Sequence, residues 1–151
     1  MYRLNSELLA MINKYVQTMN NQGQKVTVES KDKFVDLRMP LDRVGQPILI
    51  DELSQVITFT APVLPMYRTR AEMPKRLETA IMKRNNPDDQ FLECEWIVKE
   101  NPSMSCFSCT FEVPLNFLIN RGIINVPFER IINKLMKECY WYYDNVQSLD
   151  K

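Results

Sequence analysis

The chain has 151 residues, 45% hydrophobic and 25% charged, and its 19 lysines and arginines balance 19 aspartates and glutamates. That is ordinary usage for one globular domain, far from the composition of disorder, and with no net positive field it argues against nucleic acid or an anionic membrane as partner. Histidine is absent, which removes the usual general base near neutral pH and most zinc, iron and copper ligand sets.

From Leu4 to Met19 the residues Leu4, Leu8, Leu9, Ile12, Tyr15, Val16 and Met19 recur at intervals of three and four, with Asn5, Glu7, Asn13, Lys14 and Gln17 on the other face. The spacing predicts an amphipathic helix, closed by Asn20, Asn21 and Gly23, which tolerate the left-handed conformation that follows helices. The period then falls to two. Val26 and Val28, and then Val35, Leu37, Met39 and Leu41, alternate with polar neighbours and predict two strands joined by the polar turn Ser30 to Lys33. Further strands are expected over Ile48 to Ile50 and Val56 to Ala61, parted by Asp51, Glu52 and Ser54. Connections this short make the meander antiparallel.

Pro62 to Pro74 is rich in proline and basic residues and reads as a loop crossing the edge or end of the sheet. Pro74 suits a helix first turn, Leu77, Ala80 and Ile81 give an apolar stripe, and Asn85, Asn86 and Pro87 stop it. A hairpin is expected next, with Leu92, Cys94, Trp96 and Val98 on one strand, a turn at Asn101, Pro102 and Ser103, and Phe107, Cys109, Phe111, Val113 and Leu115 on the other. Last comes a long amphipathic helix, capped by Asn125 with Pro127 in its first turn, whose stripe is Phe128, Ile131, Ile132, Leu135, Met136, Cys139, Tyr142 and Val146. The order predicts an α+β fold: a two-layer sandwich of an antiparallel sheet packed by N- and C-terminal helices, α-β-β-β(-β)-α-β-β-α, in a single domain over residues 1–151.

No leader peptide is legible at the N-terminus and no apolar run approaches the roughly 20 residues of a membrane span, so a cytoplasmic protein is expected, with Cys94, Cys106, Cys109 and Cys139 held as thiols. Cys106-Phe107-Ser108-Cys109 has the spacing of zinc knuckles and redox sites. On a strand, however, residues three apart face opposite ways, so Cys106 is expected to point away from Cys109. Glu93 and Glu95 share a strand face near Glu112, where a solvated charged face is the plainer reading than acid–base chemistry. The basic run from Arg68 to Arg84 is likewise expected to be solvated. The densest aromatic cluster, Tyr140 to Tyr143, lies on the final helix. Tyr140, Trp141 and Tyr143 are therefore either anchors for a partner or a second copy, or a cover folded over the sheet edge or under the first helix.

The order of elements, the stretch RLETAIMKRNNPDDQF ending at Phe91, and PILIDELSQVITFTA from Pro47 to Ala61 resemble the YbjN-like and type III secretion chaperone-like family over nearly the whole chain. The resemblance implies a chaperone-like or regulatory protein that binds peptide segments, often as a homodimer, without cofactor and without catalytic residues. The expectation is thus a non-enzymatic module for a protein or peptide client, with no nucleic acid and no membrane. The alternatives are a small thiol- or metal-dependent protein using Cys106 and Cys109, or a structural subunit of a larger assembly.

Overall fold

The computed structural model describes residues 4–41, 45–85, 94–100, 103–119 and 126–150. Helix α1 (Ser6–Asn21) begins one residue after Asn5, whose side-chain oxygen accepts the N–H groups of Glu7 at 2.9 Å and Leu8 at 3.2 Å. Asn5 is therefore the N-cap and not part of the polar face, because its short amide satisfies donors that the first helical turn leaves unpaired. At the other end Gly23, at φ 87°, turns the chain out of the helix as its sequence position predicted.

Strands β1 (Thr27–Ser30), β2 (Val35–Met39), β3 (Gln46–Leu53) and β4 (Val56–Pro62) form the expected antiparallel meander. After helix α2 (Lys75–Met82) come β5 (Glu95–Glu100) and β6 (Ser105–Pro114). It is β6 that lies against β4, so the six-stranded sheet has the order β1-β2-β3-β4-β6-β5. Asp51 and Glu52 do not interrupt the second hairpin: β3 runs through them, and the chain reverses at Ser54 and Gln55, with φ of 53° and 64°. Two successive left-handed residues make the type I′ turn, whose twist suits a tight hairpin.

The segment after Pro62 is not a free loop. The Val63 N–H donates to the Phe107 carbonyl at 2.9 Å, and Tyr67 and Ser105 exchange both backbone bonds at 2.8 and 2.7 Å, so pairing along β6 continues before a 3₁₀ turn at Arg70–Glu72. Leu115 leaves the strand and opens the single-turn helix α3 (Leu115–Leu118). The final helix, α4 (Phe128–Asn145), starts after Pro127, which stands at the N-cap. Asn125, the expected cap, lies outside the described residues, as do Asn86, Pro87, Leu92, Glu93, Asn101 and Pro102.

Strand register divides the sheet into two faces, since directly paired residues share a face and neighbours along a strand alternate. One face carries Leu37, Ile48, Ile50, Ile57, Phe59, Phe107, Cys109, Val113 and Trp96, all buried. Contacts that tie helices to the sheet reach this face. The Asn5 N–H ahead of α1 donates to Glu52 at 3.1 Å, Phe128 of α4 lies 5.8 Å from Phe59, and Tyr142 of α4 stacks on Trp96 at 5.8 Å. Leu8, Ile12, Ile131, Ile132 and Leu135 close the same core, each worth about 2 kcal/mol of burial. The molecule is an α+β fold with its helices layered on one side of an antiparallel sheet.

At one end of each outer strand, an asparagine from the end of a helix pairs with the backbone. The Asn20 amide accepts the Val26 N–H at 2.8 Å and donates to the Val26 carbonyl at 2.9 Å, just ahead of β1. At the opposite edge the Asn85 amide does the same for Trp96 on β5, at 2.6 and 2.8 Å. These two asparagines, legible in the sequence as helix stops, also occupy outward-facing backbone groups that would otherwise template another strand.

Candidate functional site: the helix-free face of the sheet

The second face of the sheet follows from the same register. One row crosses all six strands, Glu29, Asp36, Leu49, Thr60, Thr110 and Glu95. Beside it lie Asp51, Thr58 and Glu112, and beyond them Leu53, Val56 and Pro114. Toward the other end come Ser108 with Ile97 and Cys106 with Lys99. The Tyr67–Ser105 pair extends the ladder and sets Met66 and Met104 beside Cys106 on this same side.

Six large hydrophobic side chains are exposed among the described residues, Leu53 by 78% and Val56, Leu64, Met66, Met104 and Tyr140 by 37% to 47%. Four of them, Leu53, Val56, Met66 and Met104, belong to the helix-free face, two at each end of β4 and its extension. The two pairs stand at opposite ends of the face, with Thr60, Cys106 and Ser108 buried between them, and exposed apolar side chains sharing one surface mark an interaction site more often than those scattered singly. The charges are uneven as well. Lys31 pairs with Glu29 at 3.0 Å and Arg38 with Asp36 at 3.1 Å, which leaves, among the described residues of this face, Asp51, Glu95 and Glu112 with Lys99. Partial burial holds the Asp51 carboxyl above its usual range, Lys99 opposes that shift and Glu112 adds to it.

The predicted partner residues fall on the other side of the molecule and are only partly open. Tyr140 is exposed. Trp141 lies 6.0 Å from Trp96 with the Arg84 guanidinium 4.6 Å over its ring, and the Tyr143 hydroxyl accepts the Leu64 N–H at 2.9 Å. Trp141 and Tyr143 thus pack over the sheet edge and the segment after β4 while staying partly exposed.

The thiols separate as strand alternation requires. Cys106 sits by the Ser108 hydroxyl at 3.5 Å on the helix-free face, while Cys109 faces α4 and meets Cys94. A hydrogen bond to Cys94 and burial both push the Cys109 thiol far above its ordinary range, and burial followed by the nearby Glu138 carboxylate pushes Cys139 up to about 12. Thiols held protonated are poor nucleophiles and poor metal ligands. Among the described residues, no group of three or more cysteines, aspartates or glutamates could hold a metal ion.

Glu138, on α4, is the one buried carboxylate among the described residues. Arg84 donates to it at 3.0 Å, the Trp96 indole N–H at 3.3 Å, and Lys134 lies 3.3 Å away. Burial pushes its pKa up, but these donors outweigh burial and hold it below the ordinary range. Its oxygens are already taken, so this cluster ties α2, β5 and α4 together and offers a substrate nothing.

A groove of about 240 Å³ runs between α1 and α4, lined by Met11, Lys14, Tyr15, Thr18, Pro127, Phe128 and Glu129. That is small beside ordinary ligand pockets of roughly 300–1,000 Å³. Among the described residues no helix is long and apolar enough to cross a membrane.

The sequence reading missed Leu53, Val56, Met66 and Met104 as a surface, yet one signal was present. Ile48, Leu49 and Ile50 are apolar in both phases of the alternation, the mark of a strand with apolar contacts on two sides. Comparison of the chain with protein-family models, with curated proteins and with solved structures finds no match.

Proposed function

We propose that this protein is a non-enzymatic module that binds another protein or a peptide through the helix-free face of its sheet. The observation that carries the reading is the gathering of four exposed apolar side chains, Leu53, Val56, Met66 and Met104, on that one face. The chemistry of the remaining candidates supports it: burial and neighbours push the Cys109 and Cys139 thiols up, and the buried Glu138 carboxylate is saturated with donors.

Affinity capture with three forms of the full chain tests the reading. The wild type and Tyr140→Ser should retain the same set of polypeptides, and a Leu53→Ser/Met104→Ser double variant with an unchanged circular dichroism spectrum should lose them. Equal retention by the double variant, or none by the wild type, overturns it.

Self-association is a second reading, favoured by a separate observation. Tyr140 is exposed on α4, and Leu64, also exposed, is held by its backbone N–H to Tyr143 of the same helix. If that patch joins two copies, sedimentation shows a dimer for the wild type and a monomer for Tyr140→Glu.

A further inference from the structure

We propose that the occupant of the helix-free face is a cationic amphipathic helix of a partner protein, about 18 residues long, with its apolar stripe on Leu53, Val56, Met66 and Met104 and its basic side chains beside Asp51, Glu95 and Glu112. This rests on the reading of that face as a binding surface and names the chemistry of what it binds.

The sign of the charge comes from the face itself. Once the Lys31–Glu29 and Arg38–Asp36 pairs are set aside, three carboxylates among the described residues of the face stand against Lys99. Arg68, at the far end, is already paired with Glu72 at 3.2 Å. A basic partner meets this field and an acidic one is repelled. The same excess disfavours a second copy stacked face to face, since both surfaces would bring the same net negative charge to the contact.

A helix fits better than an added strand because the exposed apolar and acidic side chains lie on the face of the sheet, whereas an added strand would cover only an edge. At one end of each edge an asparagine amide also holds a backbone pair, at Val26 and at Trp96. A half-covered sheet buries its second face most simply under a helix. Length follows from the ladder. Val56 to Pro62 spans about 20 Å at 3.3 Å per residue, and reaching Met66 and Met104 extends the track toward the roughly 27 Å of an 18-residue helix.

The test uses the full chain and three synthetic 18-residue peptides with blocked ends. One carries leucines at i, i+3, i+4 and i+7 spacing with lysines elsewhere, one has every lysine replaced by glutamate, and one scrambles the lysine peptide so that no stripe remains. Fluorescence anisotropy should show the striped lysine peptide binding about tenfold or more tightly than either control, and weakening about fivefold between 0.05 and 0.3 M salt. Asp51→Asn/Glu112→Gln and Leu53→Ser/Met104→Ser should each weaken it about threefold or more. Amide shifts on the unaltered protein should fall on β3, β4, β5 and β6.

Equal binding of the scrambled or glutamate peptide, no effect of either double variant, or shifts confined to α1 and α4 would overturn the assignment. Capture of polypeptides that depends on Leu53 and Met104 while the lysine peptide fails to bind removes the cationic helix and leaves the binding module standing. Capture that ignores this face removes both.

Discussion

At the scale of single residues, two side chains do more than their type suggests, and each supports a prediction. Glu138 is buried with Arg84, Lys134 and the Trp96 indole around it, and those donors hold its pKa below the ordinary value despite burial. A carboxyl whose folded pKa is depressed adds stability above its unfolded pKa, about 4.3, and loses it as pH falls through the lower folded value. Glu138→Gln should therefore cost about 2 kcal/mol at neutral pH, with the gap to wild type narrowing below about pH 4. Urea unfolding at pH 7 and pH 3 measures it, and a gap that widens in acid contradicts the assignment. Asn85 is the second case, because its amide pairs both backbone groups of Trp96. Asn85→Ala should lose about 1–3 kcal/mol, and Asn85→Asp should fall between, since a carboxylate still accepts the N–H but cannot donate to the carbonyl. Denaturant midpoints of the three proteins give the order, and a neutral alanine variant would show that the amide contributes nothing of consequence.

At the scale of elements, periodicity identified the helices and the strands, and local chemistry the sequence alone does not reveal set their ends. The clearest case is the β3–β4 hairpin. Asp51, Glu52 and Ser54 together looked like a polar break, yet Asp51 faces Thr58 and Glu52 faces Ile57 in continuous register. The reversal falls on Ser54 and Gln55, neither of which favours a left-handed backbone, although φ is positive at both. Ser54→Asn with Gln55→Gly should accordingly stabilise the protein by about 0.5–1 kcal/mol and raise its melting temperature, with scanning calorimetry as the measurement. A lower melting temperature would mean that the two side chains make contacts worth more than the strain they cause. Gly45, before β3, is the opposite case. It has φ 81°, and a Cβ there would lie 2.8 Å from the Arg38 side chain, so glycine at this point answers both backbone and space.

At the scale of the whole molecule, the described helices lie on one face of the sheet, and the proposed binding surface is the other. Alternation in the sequence told which residues share a face: Trp96, Phe107, Cys109 and Phe111 point one way, while Glu95, Ser108 and Glu112 point the other. It also placed Cys106 and Cys109 back to back, which the strand geometry repeats. What alternation could not tell was which strands lie beside one another. Leu53, Met66 and Met104 come from three separate stretches of chain, and only the insertion of β6 between β4 and β5, with the Tyr67–Ser105 pair above it, puts them on one surface.

The aromatic cluster of α4 illustrates the same limit. Helical spacing required that Tyr140, Trp141, Tyr142 and Tyr143 point in different directions, but their fates depended on neighbours more than 40 residues away: Trp96 and Arg84 for Trp141, Leu64 for Tyr142 and Tyr143. The sequence by itself determined the α+β class, the antiparallel meander, the amphipathic first and last helices and the two-faced strands, because those rest on periodicity and short-range sterics that each segment carries within it. Tertiary structure alone decided the strand order, the asparagine pairings at both edges, the donors around Glu138 and the uncovered apolar face, because each of these is a contact between segments distant along the chain.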